Sequence, residues 1–199
     1  MIESIVPNHA LPVGSKGHLA SGWWGMLALI FTEGALFAYL FFSYFYLALH
    51  SISQWPPSGP PHLGIAIPGT VILLLASVAV WWGERGITRG HPRRMIVGLV
   101  LAILLGLVFL GMQGVEWHGE PFKLNSGVYS SLYFTITGIH MIHVIVGLLM
   151  MAVLLLWTAL GYFSGGRHAA ASIGAIYWHF VTFIWLIVFS VIYLVPRLG

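Results

Sequence analysis

Hydrophobic residues run almost unbroken through five stretches of this chain, 23–49, 65–83, 95–115, 128–161 and 172–195. Short segments rich in proline, glycine and charge separate them. A helix rises about 1.5 Å per residue, so roughly 20 apolar residues cross the roughly 30 Å hydrocarbon core of a bilayer. The pattern therefore predicts an all-α fold, a five-helix transmembrane bundle in one domain covering 1–199. The fourth stretch is overlong and is expected to tilt or project from the membrane. The segment around Trp55, with Pro56, Pro57, Pro60 and Pro61, is too proline-rich to be helical. It is expected to cap the outer face, as is 117–127 with Glu120, Pro121 and Asn125.

Composition agrees, with 59% hydrophobic and 7% charged residues among 199 and a mean hydropathy of +0.93. The polar start, residues 1–22, lacks the basic flank and short apolar core of a signal peptide, so the first span is expected to be retained. With no cysteine, disulfides, iron–sulfur clusters and thiolate-held metals drop out, and a metal would need histidine. The net charge of +3 raises the question of nucleic acid until the basic residues are placed. Arg85, Arg89, Arg93 and Arg94 crowd the connection between spans two and three, Lys16 precedes span one and Arg167 lies between four and five. Only Lys123 and Arg197 fall on the other side. The positive-inside rule then places the N-terminus in the cytoplasm and the C-terminus outside. Anionic lipid headgroups or a partner protein account for the arginines, and no nucleic-acid partner is expected.

Four ionisable side chains lie at depth. Glu33 stands about ten residues into span one, roughly 15 Å from the inner edge. A charge there is costly, so the expectation is a neutral Glu33 donating a hydrogen bond to a neighbouring helix, with a role in proton movement as the alternative. Phe37, Phe41 and Tyr44 continue its face. His140 and His143 share a side of span four, and His179 sits on span five at a depth matching His140. Matched depth on antiparallel helices is what a bis-histidine haem or a small metal site requires. Hydrogen bonding across helices is the ordinary use of such histidines. Gln113 and Glu116 close span three, where Glu116 is expected to face solvent or headgroups. Neither a hydrolytic triad nor a phosphate loop is readable, so no catalytic residue is assigned.

Several runs occur in a specific order: Thr32-Glu33-Gly34-Ala35-Leu36-Phe37-Ala38, Gln113 with Glu116, Gly127-Val128-Tyr129-Ser130-Ser131, Gly138 to Gly147 with His140 and His143, and Tyr177-Trp178-His179-Phe180-Val181. Together, over roughly residues 20–195, they resemble subunit III of the haem–copper terminal oxidases. The resemblance implies a non-redox accessory subunit, multi-pass in the bacterial inner membrane, of a complex that reduces oxygen with cytochrome c or quinol as donor. Haem and copper would reside in partner subunits. Catalytic subunit I, subunit II and a small subunit are the implied partners, with bound phospholipid as the implied ligand and support of proton uptake as the implied role. Glu33 would match the family's buried glutamate, and His140, His143 and His179 its helix histidines. Seven-span members carry two further helices at the start, so this chain resembles the five-span bacterial class. Thr182 and Ser126 stand where the family commonly has aspartate. Rival readings are a haem-binding electron-transfer anchor, a proton-coupled carrier and a subunit-III-like companion of nitric oxide reductase.

Overall fold

The computed structural model describes residues 21–51, 54–57, 59–163 and 168–198, so Lys16, Arg167 and the start through residue 20 lie outside the described residues. Five helices follow in order: α1 (Ser21–Leu49), α2 (Leu63–Thr88), α3 (Pro92–Gly119), α4 (Val128–Ala159) and α5 (Ala169–Phe189). A π-helical turn (Ser190–Leu194) and a 3₁₀ turn (Val195–Arg197) extend α5. No strand occurs among the described residues, and all five helices are long and apolar enough to cross a membrane. Helices α2, α3, α4 and α5 close into a ring in which each packs on the next and α5 returns to α2. Helix α1 lies outside that ring, against α5 and α4.

Water cannot satisfy backbone groups within a bilayer, so each span must be helical. What brings the helices together is close approach at small residues and a few cross-helix hydrogen bonds. At Gly98 a Cβ atom would stand 2.6 Å from the Ala79 carbonyl oxygen and 2.9 Å from the Gly83 Cα. Only glycine permits the α2 and α3 backbones to meet there. The connection between them turns at Gly90 (φ +78°), where the Arg89 and His91 amides both donate to the Gly86 carbonyl. Pro92 then opens α3, at a helix position where a missing N–H costs nothing.

The large side chains of α5 fill the ring. Trp178 and Trp185 are 0% and 1% exposed. Trp178 lies against Gly147 of α4 and Gly106 of α3, where an added Cβ would stand 2.8 and 3.1 Å from its ring. Trp185 stacks edge-on against Phe109, centroids 4.8 Å apart, and its indole N–H donates to Thr70 Oγ1 of α2 at 2.9 Å. Outward positions such as Phe31, Leu75, Leu104 and Leu149 are apolar and exposed, as a lipid-facing surface requires.

Candidate functional site

Glu33 reaches α4. Its Oε2 lies 2.9 Å from His143 Nε2, with the carboxyl and imidazole side chains 27% and 12% exposed, so the pair sits in the seam between α1 and the ring. His143 Nδ1 is 2.7 Å from the Ile139 carbonyl oxygen. A carbonyl only accepts, so Nδ1 carries a hydrogen and donates. The contact between Nε2 and Oε2 then shares one proton, held as a neutral acid donating to a neutral ring or as imidazolium donating to carboxylate. Both ring nitrogens of His143 are thereby engaged. Phe37, one turn beyond Glu33, covers the pair with its ring 5.3 Å from that of His143.

His140 is one turn earlier on α4 and points inward. It is fully buried, with neither ring nitrogen hydrogen-bonded in the protein. Its neighbours are aromatic: Trp185 at 5.0 Å, Phe109 at 6.1 Å and Phe37 at 6.4 Å between centroids. His179 turns to α2, where its Nδ1 meets the Ser77 hydroxyl at 2.5 Å. The three imidazoles are thus directed at three different neighbours. Among the described residues, no group of three histidines or carboxylates is placed to hold a metal ion.

Glu116 corrects the sequence expectation. Rather than facing solvent or headgroups, it is 5% exposed. Its Oε2 accepts from Gln113 Nε2 at 3.2 Å, and the hydroxyl of Tyr193, from the π-helical turn, faces the carboxyl. The Tyr133 hydroxyl of α4 stands 3.4 Å from that of Tyr193. The apolar run of α3 ends at Val115, which is why sequence alone puts Glu116 at an interface. The covering tyrosines arrive from elements far away in sequence. Beside them, the Arg197 guanidinium donates to the carbonyls of Tyr193 and Pro61, closing this end of the bundle.

At the other end, Arg85 lies over the Trp81 ring at 3.9 Å and Arg94 over the Trp82 ring at 4.7 Å. Arg85, Arg89 and Arg93 are exposed and Arg94 is half-buried. Tryptophans 24, 81 and 82 are exposed nearby. Thr182, in place of an acid, donates to the Trp178 carbonyl at 3.0 Å, and Ser126 Oγ accepts from the Lys123 amide at 2.8 Å. Both positions serve local backbone bonding.

Sequence reasoning missed Ser77, Tyr133 and Tyr193. A hydroxyl inside an apolar run, as at Ser77, is the signal that could have found the first. The tyrosines carry no such mark, because aromatic residues are common in spans.

The family Cytochrome c oxidase subunit III matches residues 8–196 of the chain. Cytochrome c oxidase subunit 3 of Gallus gallus and that of Danio rerio are each 34% identical over 96% of this chain and 74% of their own length. The Marchantia polymorpha protein is 34% identical over 85% of this chain and 67% of its own length. With a multi-pass helical ring, a half-buried glutamate bonded to a helix histidine and a match spanning nearly the whole sequence, this chain belongs to the cytochrome c oxidase subunit III family of the haem–copper oxidases.

Proposed function

We propose that the chain works as a non-redox accessory subunit, one transmembrane domain held beside the catalytic subunit of a proton-pumping terminal oxidase that reduces oxygen to water. Subunit II and a small subunit complete the assembly. The observation that carries this reading is the family match over residues 8–196. The chain carries no haem or copper of its own and no catalytic residue; electrons pass through its partners. It sits in the cytoplasmic membrane of a bacterium. The arginine-rich connection between α2 and α3 faces the cytoplasm, a placement supported by the excess of positive charge at that end.

Glu33 and His143 act in this reading as the polar tie between α1 and the ring, through the single proton they share. His140 and His179 are structural, the one packed among aromatic rings and the other bonded to Ser77. Gln113 and Glu116 hold the opposite end. Arg85, Arg89, Arg93 and Arg94 meet phospholipid headgroups or the partner's proton-entrance side. Their support is position: guanidinium groups stacked on exposed tryptophans form an interfacial arrangement.

The test is to purify the oxidase with and without this chain. Removal is expected to leave the haem and copper spectra intact, lower proton uptake per electron and shorten the number of turnovers before activity is lost. Loss of a haem or copper signal together with this chain would overturn the non-redox assignment.

A further inference from the structure

At the end of the bundle opposite the arginines stand two carboxyl groups four residues apart, Glu116 in the last turn of α3 and Glu120 just past its end. Glu116 is 95% buried by the bundle itself, as its 5% exposure states. One oxygen, Oε2, accepts from Gln113. The other, Oε1, is buried and has no hydrogen-bond partner in the protein. The groups that act on this carboxyl from the surrounding elements are Gln113 on α3, Glu120 just past its end, Tyr133 on α4 and Tyr193 on the π-helical turn. None is a cation. Arg197, the nearby guanidinium, is committed to the Tyr193 and Pro61 carbonyls.

An anion buried without a counter-ion and with an unsolvated oxygen carries a penalty of several kcal/mol. The chemistry that removes it is a proton on Oε1. Oε2 is already committed to an amide donor, so the acid O–H belongs on the open oxygen. A carboxylic acid there needs an acceptor, and the hydroxyls of Tyr133 and Tyr193, which face the carboxyl, can supply lone pairs through one water molecule.

Glu33 Oε2 has a histidine nitrogen 2.9 Å away; no histidine acts on Glu116, so a proton leaving it must travel outward. Glu120 stands in that direction, half-buried at the end of α3. Burial pushes its carboxyl above the ordinary range, while His62 opposes the rise. Tyr129 and Tyr133 of α4 also face Glu120. His62 is exposed immediately before α2. Burial thus falls from Glu116 through Glu120 to His62, each within electrostatic reach of the next.

We propose that Glu116 is a buried proton-binding site that exchanges its proton with the aqueous phase at this end of the bundle through Glu120. The balance is simple. A proton from solvent adds to the Glu120 carboxylate, passes to the Glu116 carboxylate and leaves Glu120 as a carboxylate again; no electrons move and no bond besides O–H forms or breaks. The site is separate from the tie between Glu33 and His143 and does not depend on the accessory-subunit reading.

All five acidic residues of the chain are glutamates, so carbon-13 glutamate labelling reports every side-chain carboxyl. The full chain in lipid nanodiscs, carrying Glu33→Gln so that the seam carboxyl is silent and studied by infrared spectroscopy, should show a protonated-carboxyl band that a further Glu116→Gln abolishes. In deuterated buffer that band should exchange readily in the Glu33→Gln protein, and Glu120→Gln should slow the exchange by on the order of tenfold. A band that survives Glu116→Gln, or an exchange rate indifferent to Glu120→Gln, overturns the proposal. Should Glu116→Gln fail to fold, Gln113→Leu serves in its place. Removing the amide donor on Oε2 is expected to shift the band, and an unmoved band counts equally against the site.

Discussion

Helices α1 and α3 are both long apolar spans with one buried or half-buried carboxyl each, yet the protein holds them by different means. Helix α3 lies inside the ring and touches α2 through backbone at Gly98, Ala79 and Gly83. Its carboxyl, Glu116, is covered by α4 and the π-helical turn. Helix α1 lies outside, mostly exposed, with only 11% of its most apolar window buried against 33% for α3. Its Gly34 has open space around it. What fixes α1 is a strip of aromatic packing through Phe37 and Tyr44 and one polar bond from Glu33 to His143. In lipid there is no water-driven reason for apolar faces to join. A helix therefore stays by close backbone approach or by a buried polar bond, and these two helices illustrate the two routes.

The largest expected effect comes from the backbone route. Gly98→Leu should force α2 and α3 apart and destabilise the chain by about 3 kcal/mol or more, whereas Gly34→Leu should change it by less than about 0.5 kcal/mol. Denaturant titration of both variants checks this, and equal effects would remove the distinction between the helices.

Next is the polar route. Glu33→Ala leaves His143 Nε2 without its partner in a half-buried seam, at a cost of about 1–2 kcal/mol. Glu33→Gln keeps a donor for that nitrogen and should stay within about 0.5 kcal/mol. Hydrogen exchange along α1 reads the difference as loosening in the alanine variant alone. Equal and complete loss of oxidase activity in both variants would contradict a tie made by hydrogen bonding.

A smaller effect is expected where the ring meets the membrane surface. Replacing Arg89 and Arg93 by alanine should weaken retention of anionic lipid by about 1 kcal/mol per residue. Lipid counted by mass spectrometry after delipidation and re-addition tests it. Unchanged anionic lipid, with unchanged proton uptake by the oxidase, would remove the arginines from that role.

The smallest effect is a pH slope. Glu120 has its carboxyl held above its ordinary 4.5 by burial, the larger influence, with His62 opposing. A native carboxyl that binds its proton more tightly than the unfolded chain does makes stability highest below the ordinary value and lower as pH rises through the raised one. Glu120→Gln should flatten that decline above pH 4.5. A slope unchanged by the substitution would show that this carboxyl is not its source.

Much of the site was legible residue by residue, and its partners were not. Glu33 and His143 each announced themselves as costly groups in an apolar run, but only the packing of α1 on α4 shows that they bond to one another. His140 and His143, three positions apart, share a side of the helix by spacing alone. That spacing leaves about 60° between them around the helix, enough to turn one to the seam and the other into the aromatic interior. Matched depth made His140 and His179 look like a pair. Depth is one coordinate only, and the rings turn to Trp185 and to Ser77 instead. Glu116 went the other way: its position at the end of a hydrophobic run signalled exposure, and tyrosines from distant elements bury it.

Sequence alone determined the number of spans, the helical class, the charge asymmetry and the family resemblance. Length, hydropathy and residue order are local properties of the chain, and a bilayer converts each long apolar run into a helix. Tertiary structure decided which face of each helix meets protein and which meets lipid. Those faces are almost equally apolar, so hydropathy does not separate them. Gly98 and Gly147 select the faces by allowing close approach, and Glu33, Ser77 and Thr70 by finding partners on other helices.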